Sequence, residues 1–227
     1  MAVLEVADLV KTYRSPDGEV SRIVDVSRFQ MNEGDHIALQ GSSGSGKTTF
    51  LNLIAGILQP DSGTIRLAGQ AFSELSESAR DTARARHLGY VFQTFNLLQG
   101  FTALENVLLG MMFGNGTDTA RAKHLLERVG LKDRMNYLPR QLSVGQQQRV
   151  AVARALANKP KLVLADEPTG NLDHRHGAEA LALIREVCRE SGAALLLVSH
   201  DRNILSQFDI VQELSELNRA ASAAAKV

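Results

Sequence analysis

One stretch restricts what this chain can become: Gly41-Ser-Ser-Gly-Ser-Gly-Lys-Thr-Thr49. It satisfies the spacing G-x-x-x-x-G-K-[ST] through Gly41, Gly46, Lys47 and Thr48. His36-Ile-Ala-Leu-Gln40 enters it and reads as a short buried strand, and Phe50-Leu-Asn-Leu-Ile-Ala-Gly56 leaves it and reads as a helix. A glycine/serine linker would lack these apolar flanks. A strand feeding a glycine loop that opens a helix commits this part of the chain to an α/β layer arrangement.

The loop carries its own chemistry. Its glycines let the backbone curl so that successive N–H groups point inward at a polyphosphate. The expected phosphate ligands are therefore Gly41, Ser42, Ser43, Gly44, Ser45, Gly46, Lys47, Thr48 and Thr49. Lys47 would meet the terminal phosphates as a point charge. The Thr48 hydroxyl would hold Mg²⁺, which prefers oxygen ligands and keeps several waters. The helix that starts here aims its positive dipole end at the same anion. A nucleoside triphosphate is the implied ligand.

A second constellation supports the first. Leu162-Val-Leu-Ala-Asp166-Glu167 is an apolar strand ending in adjacent carboxylates. Ligands of open α/β sheets bind beyond the carboxyl ends of strands, which puts Asp166 near the phosphate loop and within reach of Mg²⁺. By strand alternation Glu167 points the other way, where it would orient and deprotonate an attacking water. Further back, Ser143 and Gln146 in Leu142-Ser-Val-Gly-Gln146 have the spacing of a helix capping box. Alone, that pattern starts a helix. With Gly145 permitting close approach, the same N-terminus would also suit an anion.

Along the chain, residues 4–10 and 23–29 read as the arms of an antiparallel hairpin joined by a turn cluster at 14–19. A turn at 60–63 precedes a strand at 64–68. A polar, arginine-rich helix at 77–87 precedes a strand at 88–92. Residues 94–116 place Leu97, Leu98, Phe101, Leu104, Val107 and Leu108 at largely helical spacing. Helices follow at 118–129 and 143–158. Strand patterns return at 161–165 and 193–199, with a helix at 174–190 between them. Alternating strands and helices imply a parallel sheet covered on both faces. The expected organisation is one domain over 1–227. A nucleotide-binding core with an antiparallel β part spans 1–93 and 159–227, and a helical subdomain spans 94–158. The alanine-rich tail 220–227 is expected to fray.

Composition narrows the function classes. Lys+Arg and Asp+Glu are both 25, so no broad positive field invites nucleic acid. No run approaches the ~20 apolar residues of a membrane span. Met1-Ala-Val-Leu-Glu lacks the start of a signal peptide. If transport is involved, another subunit supplies the pore. Cys188, the single cysteine, is expected in a helix core and suits the cytosol.

With these motifs in place the chain resembles the ATP-binding-cassette (ABC) ATPases, the nucleotide-binding subunits of ABC transporters, over nearly its whole length. Residues 41–48 match the Walker A loop and 162–167 the Walker B strand. Gln93 matches the Q-loop, 142–146 the family signature, 171–173 the D-loop with Asp173, His200 the switch histidine, and Tyr13 the adenine-stacking aromatic. The resemblance implies a P-loop NTPase (RecA-like) core with a mostly parallel sheet, an N-terminal antiparallel β subdomain and an inserted α-helical subdomain. It also implies that two copies sandwich two ATPs head to tail. Each ATP then sits between one phosphate loop and the partner's Ser143, Gly145 and Gln146. Glu167 would be the general base, His200 would contact the γ-phosphate, and Gln93 would sense Mg²⁺.

The motifs Asp166-Glu-Pro-Thr-Gly-Asn-Leu-Asp173 and Gln146-Gln-Gln-Arg-Val resemble the branch containing bacterial lipoprotein-release, macrolide-export and cell-division ATPases. That implies a membrane permease as partner and a location at the cytoplasmic face of the inner membrane. Residues 94–112, with apolar anchors at helical spacing, are the expected docking groove for a cytoplasmic helix of that permease. Two departures stand out. Val144 occupies the signature's usual first glycine. Residues 208–212 run into 213–225, which read as a helix rather than a closing strand. Three other readings remain: a regulator of a cell-envelope process without transport, a soluble translation or repair protein, and a P-loop kinase.

Overall fold

A computed structural model describes the chain except for Ser43, Asn115 and residues 221–227; the His174 side chain is also outside the description. Strands β1 (Ala2–Arg14) and β2 (Val20–Asn32) form the expected hairpin, longer than its apolar core because polar residues continue the pairing as far as Arg14 and Val20. Strand β3 (His36–Gln40) leads into the glycine loop and helix α1 (Lys47–Ile54). Strand β4 (Ser62–Leu67) returns to β1 and β5 (Gln70–Ala71) pairs with β4, giving an antiparallel sheet of order β2-β1-β4-β5. The turn expected at 60–63 is shorter than its sequence, since Ser62 and Gly63 already belong to β4.

Helix α2 (Glu77–His87) precedes β6 (Leu88–Val91). It is less solvated than its composition implies, because Arg80 is buried. Helices α3 (Ala103–Met112), α4 (Thr119–Arg128) and α5 (Val144–Ala155) follow, then β7 (Leu162–Asp166), α6 (His174–Ser191) and β8 (Ala194–Ser199). The chain closes with α7 (Arg202–Leu205), β9 (Ile210–Glu213) and α8 (Leu214–Leu217).

Strands β6-β7-β8-β3-β9 form a sheet in which every pair is parallel. A strand buried on both faces needs a run of apolar residues, which β7 and β8 supply up to their last positions, Asp166 and Ser199. Leu162, Leu164, Leu196 and Val198 face one way, into a core shared with α1 and the antiparallel sheet. Val163, Ala165, Leu195 and Leu197 face the other way, into a core made by α3, α4, α5 and α6. On α6, Leu181, Ile184 and Cys188 lie on that inner face and are fully buried. Gly89 is required for this layer packing, because a Cβ there would lie 2.3 Å from the Ala155 carbonyl oxygen of α5.

Two expectations need correction. The helical spacing at 94–116 is realised only in α3; Leu97, Leu98 and Phe101 sit in the preceding loop. That loop is held by polar groups instead. The fully buried Asn106 accepts from Leu98 N and donates to the carbonyls of Leu98, Phe101 and Thr102. Arg154 donates to the carbonyls of Phe95 and Asn96. At the C-terminus, Glu213 ends a strand rather than starting a helix. The open edge of β3 pairs with β9, and the helix that follows has only four residues. The rest of the segment expected to be helical, 221–225, lies outside the described residues, as does the expected fraying of the tail beyond Ala220.

Candidate active site

The parallel sheet delivers the phosphate loop from β3, Asp166 and Glu167 from β7, and His200 from β8 to one edge, the carboxyl ends of the strands. They surround a cleft of about 340 Å³ lined by Gly44, Gly46, Lys47, Thr48, Thr49, Gln93, Glu167, His200 and Ile23. Gly46 caps α1 at φ 91, and a Cβ there would lie 2.8 Å from the Ile23 carbonyl oxygen. Only glycine meets both demands.

The Lys47 ammonium donates to the carbonyls of Gly41 at 2.8 Å and Ser42 at 2.7 Å. It also stands 3.9 Å from Glu167 Oε1. The Asp166 carboxylate lies near the Thr48 hydroxyl and the Lys47 ammonium. Burial pushes the Asp166 carboxyl above the usual range, while the Thr48 hydroxyl pulls it down.

Both carboxylates therefore reach the loop, which differs from simple strand alternation. Glu167 lies just past β7 with φ 45, so a left-handed turn rather than the pleat sets its direction. This conformation costs energy for a side chain with a Cβ and persists only when its surroundings hold it. Three contacts do so. Glu167 N donates to Val198 O at 3.0 Å. The Ser199 hydroxyl donates to Oε2 at 3.2 Å, and His200 Nδ1 lies 2.7 Å from Oε1.

The remaining expected residues fall into two groups. Gln93 lines the cleft, and its carbonyl accepts from Asn171 Nδ2 at 2.6 Å. Tyr13 is exposed near the end of β1, opposite Ser21, and does not line the cleft; Ile23 does. Ser143, Gly145, Gln146 and Asp173 also lie outside the cleft lining. The reciprocal cap expected at α5 is formed, with Ser143 Oγ accepting from Gln146 N and Gln146 Oε1 accepting from Ser143 N. Val144 begins that helix with its side chain exposed. A Cβ on Gly145 would lie 4.0 Å from the His176 ring. Asp173 caps α6 and contacts His176, whose N–H groups hold its carboxyl below the usual range. Ser43 lies outside the described residues.

Ser199, Ile23 and Asn171 were not singled out from sequence. Ser199 sits beside His200, and Asn171 lies in the segment that marked Asp173; for Ile23 only its place in a strand was visible. Among the described residues no helix is long and apolar enough to cross a membrane.

Comparison with known proteins agrees with this fold. The sequence model described as ABC transporter matches residues 24–170. The lipoprotein-releasing system ATP-binding protein LolD of Pseudomonas syringae pv. tomato is 43% identical over 217 residues, covering 94% of this chain and 95% of that protein. The LolD protein of Shewanella frigidimarina is 44% identical over 213 residues, covering 92% and 88%. Among solved structures, the dimeric post-hydrolysis state of the ATP-binding cassette MJ0796 bound to ADP and Pi superposes with a TM-score of 0.85 at 33% identity, covering 96% of this chain and 95% of that one. Clostridium perfringens cbiO1, part of the ABC transporter complex cbiONQ, gives a TM-score of 0.79 at 27% identity, covering 93% and 84%.

The fold and site define a P-loop ATPase of the cassette type. The chain belongs to the ABC transporter family and is an ATP-binding, ATP-hydrolysing subunit of it.

Proposed function

We propose that this chain powers a lipoprotein-releasing ABC transporter, working as a homodimer at the cytoplasmic face of the inner membrane. The lipoprotein assignment rests on the LolD relatives, which match nearly their whole length. The hydrolytic assignment rests on one observation: Glu167 is held in a left-handed turn between Ser199, His200 and Lys47.

In this reading the amides and ammonium of the loop hold the triphosphate, with Lys47 leaving its loop carbonyls for the phosphates. Glu167 takes a proton from the attacking water. His200, on the open side of the carboxylate, contacts the γ-phosphate. Thr48 and Asp166 would hold Mg²⁺, with Gln93 approaching through the same cleft. Their oxygen donors fit a hard cation, and so small a protein ligand set suits an ion bound largely by substrate phosphates and water. When bound, Mg²⁺ neutralises charge developing on the phosphates.

Tyr13 stacks on adenine from the exposed end of β1. Ser143, Gly145 and Gln146, outside the lining of their own cleft, serve the cleft of the second copy, with His176 beside Gly145 and Asp173 beside His176. The dimeric, ADP- and Pi-bound structural relative supports this arrangement. The permease docks where 94–112 meets α2. Gly110 of that segment, with Phe113 just beyond it, lines a cleft of about 850 Å³ together with Tyr90, Arg154 and α2, and Leu98, Phe101 and Met112 of the segment are exposed.

Crosslinking from Met112→Cys to a co-purified membrane subunit tests the docking. Contact only through other surfaces would refute it. Accumulation of unreleased lipoprotein in a deletion strain tests the substrate class, and unchanged lipoprotein sorting would remove it.

A further inference from the structure

The C-terminal segment reaches back under the phosphate loop at two points. Leu214, fully buried, lies beneath Gly41, with its Cβ 3.5 Å from where a Gly41 Cβ would stand. Four residues later, Asn218 ends α8 and bridges to Val26 of β2. Asn218 is 1% exposed. Its side chain is fully used. Oδ1 accepts from Asp25 N at 2.7 Å and from Ala220 N at 3.3 Å. Nδ2 donates to Ile23 O at 2.8 Å and to Ser45 O at 3.2 Å. One buried amide thus ties the cleft-lining strand residue Ile23 to the glycine loop, across more than 170 positions of sequence.

The two carbonyls it binds matter to the loop's shape. A phosphate cradle needs its N–H groups turned inward, so its carbonyls must turn outward and find other partners. The Ser45 carbonyl finds such a partner in Asn218 Nδ2, at 3.2 Å, and Asn218 does not line the cleft. The Ile23 carbonyl is the atom that a Cβ at position 46 would strike, and Asn218 Nδ2 lies 3.3 Å from where that Cβ would stand. Asn218 therefore braces the sharpest part of the loop, where Gly46 is left-handed and Lys47 begins α1.

We infer that Asn218 is a positioning residue for ATP binding: the segment from Leu214 to Asn218 is a strap that holds the phosphate loop in its binding shape. The inference rests on the reading of residues 41–49 as the triphosphate cradle. Asn218 touches neither nucleotide nor the hydrolytic carboxylate. Its loss acts on affinity more than on the chemical step, because removing a preorganising contact makes the ligand organise the loop itself.

The discriminating variant is Asn218→Asp. It keeps the acceptor for Asp25 N and Ala220 N and loses both donations. Binding of a fluorescent ATP analogue to the full chain should weaken about five- to tenfold, the scale of one or two lost hydrogen bonds. The KM for ATP should rise with kcat nearly unchanged. Asn218→Gln, which keeps the amide donors on a longer arm, should recover part of the affinity. If the aspartate variant does not fold, Asn218→Ser gives the same reading, since its short hydroxyl does not span both carbonyls. A lowered unfolding midpoint with unchanged ATP affinity would make Asn218 a structural pin and overturn the inference. Lys47→Ala is the reference: binding undiminished by that change would overturn the cradle reading and this inference with it.

Discussion

His200 Nδ1 stands 2.7 Å from Glu167 Oε1, and the two come from the ends of neighbouring parallel strands. Parallel pairing makes the contact possible, because it brings both carboxyl ends to the same edge of the sheet. Glu167 is nearly buried while His200 is mostly exposed. The carboxylate is thus enclosed on the protein side and covered on the open side by an exposed imidazole.

His200→Ala removes that cover and the expected γ-phosphate contact. Phosphate release should fall by about 10²-fold, within the range for a lost proton-transfer or charge-stabilising group. ATP binding by the loop should survive. A coupled phosphate-release assay checks this, and a change confined to KM would move His200 from chemistry to binding.

Ser199→Ala strips the hydroxyl that holds Oε2 at 3.2 Å. Glu167 keeps its left-handed backbone but loses one of the contacts that fix its side chain. We expect kcat to fall a few-fold, about the effect of one neutral hydrogen bond. Ser199→Thr should restore it.

Gly46→Ala combines a left-handed backbone at φ 91 with a Cβ 2.8 Å from the Ile23 carbonyl. The strain alone costs about 1–3 kcal/mol. Relief requires moving either β2 or the loop, so ATP binding should be lost while far-ultraviolet circular dichroism stays close to wild type at low temperature. Titration with a fluorescent nucleotide reads the first, and the spectrum reads the second.

Asp61 gives a pH dependence. The Lys11 ammonium and the Thr12 hydroxyl and N–H hold its carboxyl at about 2, below the ordinary 3.8. A folded value below the unfolded one stabilises the fold above about pH 4, and that stabilisation is lost as pH falls from there through 2. The group is largely exposed, so screening keeps the effect to about 0.5–1 kcal/mol. Unfolding midpoints of Asp61→Asn and wild type should differ at pH 7 and converge towards pH 2.

Much of this arrangement was legible in the sequence because its physics is local. The glycine loop, the apolar β7 and β8, the cap at Ser143 and the α6 stripe each follow from neighbouring residues. What was not legible depends on distant partners. The loop before α3 carries leucines at helical spacing, yet Asn106 and Arg154 hold its backbone in another shape. Strand β9 exists because β3 offers a free edge. The direction of Glu167 follows from a left-handed turn that no alternation rule describes. Asn218 bonds to residues more than 170 positions away and has no motif around it.

The most direct measurement is ATP turnover and association state of Glu167→Gln. The substitution preserves shape and most hydrogen bonding while removing the base. Phosphate release should fall by at least about 10²-fold, and light scattering should show an ATP-dependent dimer that persists because the nucleotide is not consumed. Undiminished phosphate release would contradict the assignment of Glu167, and with it the reading of the cleft as the hydrolytic site.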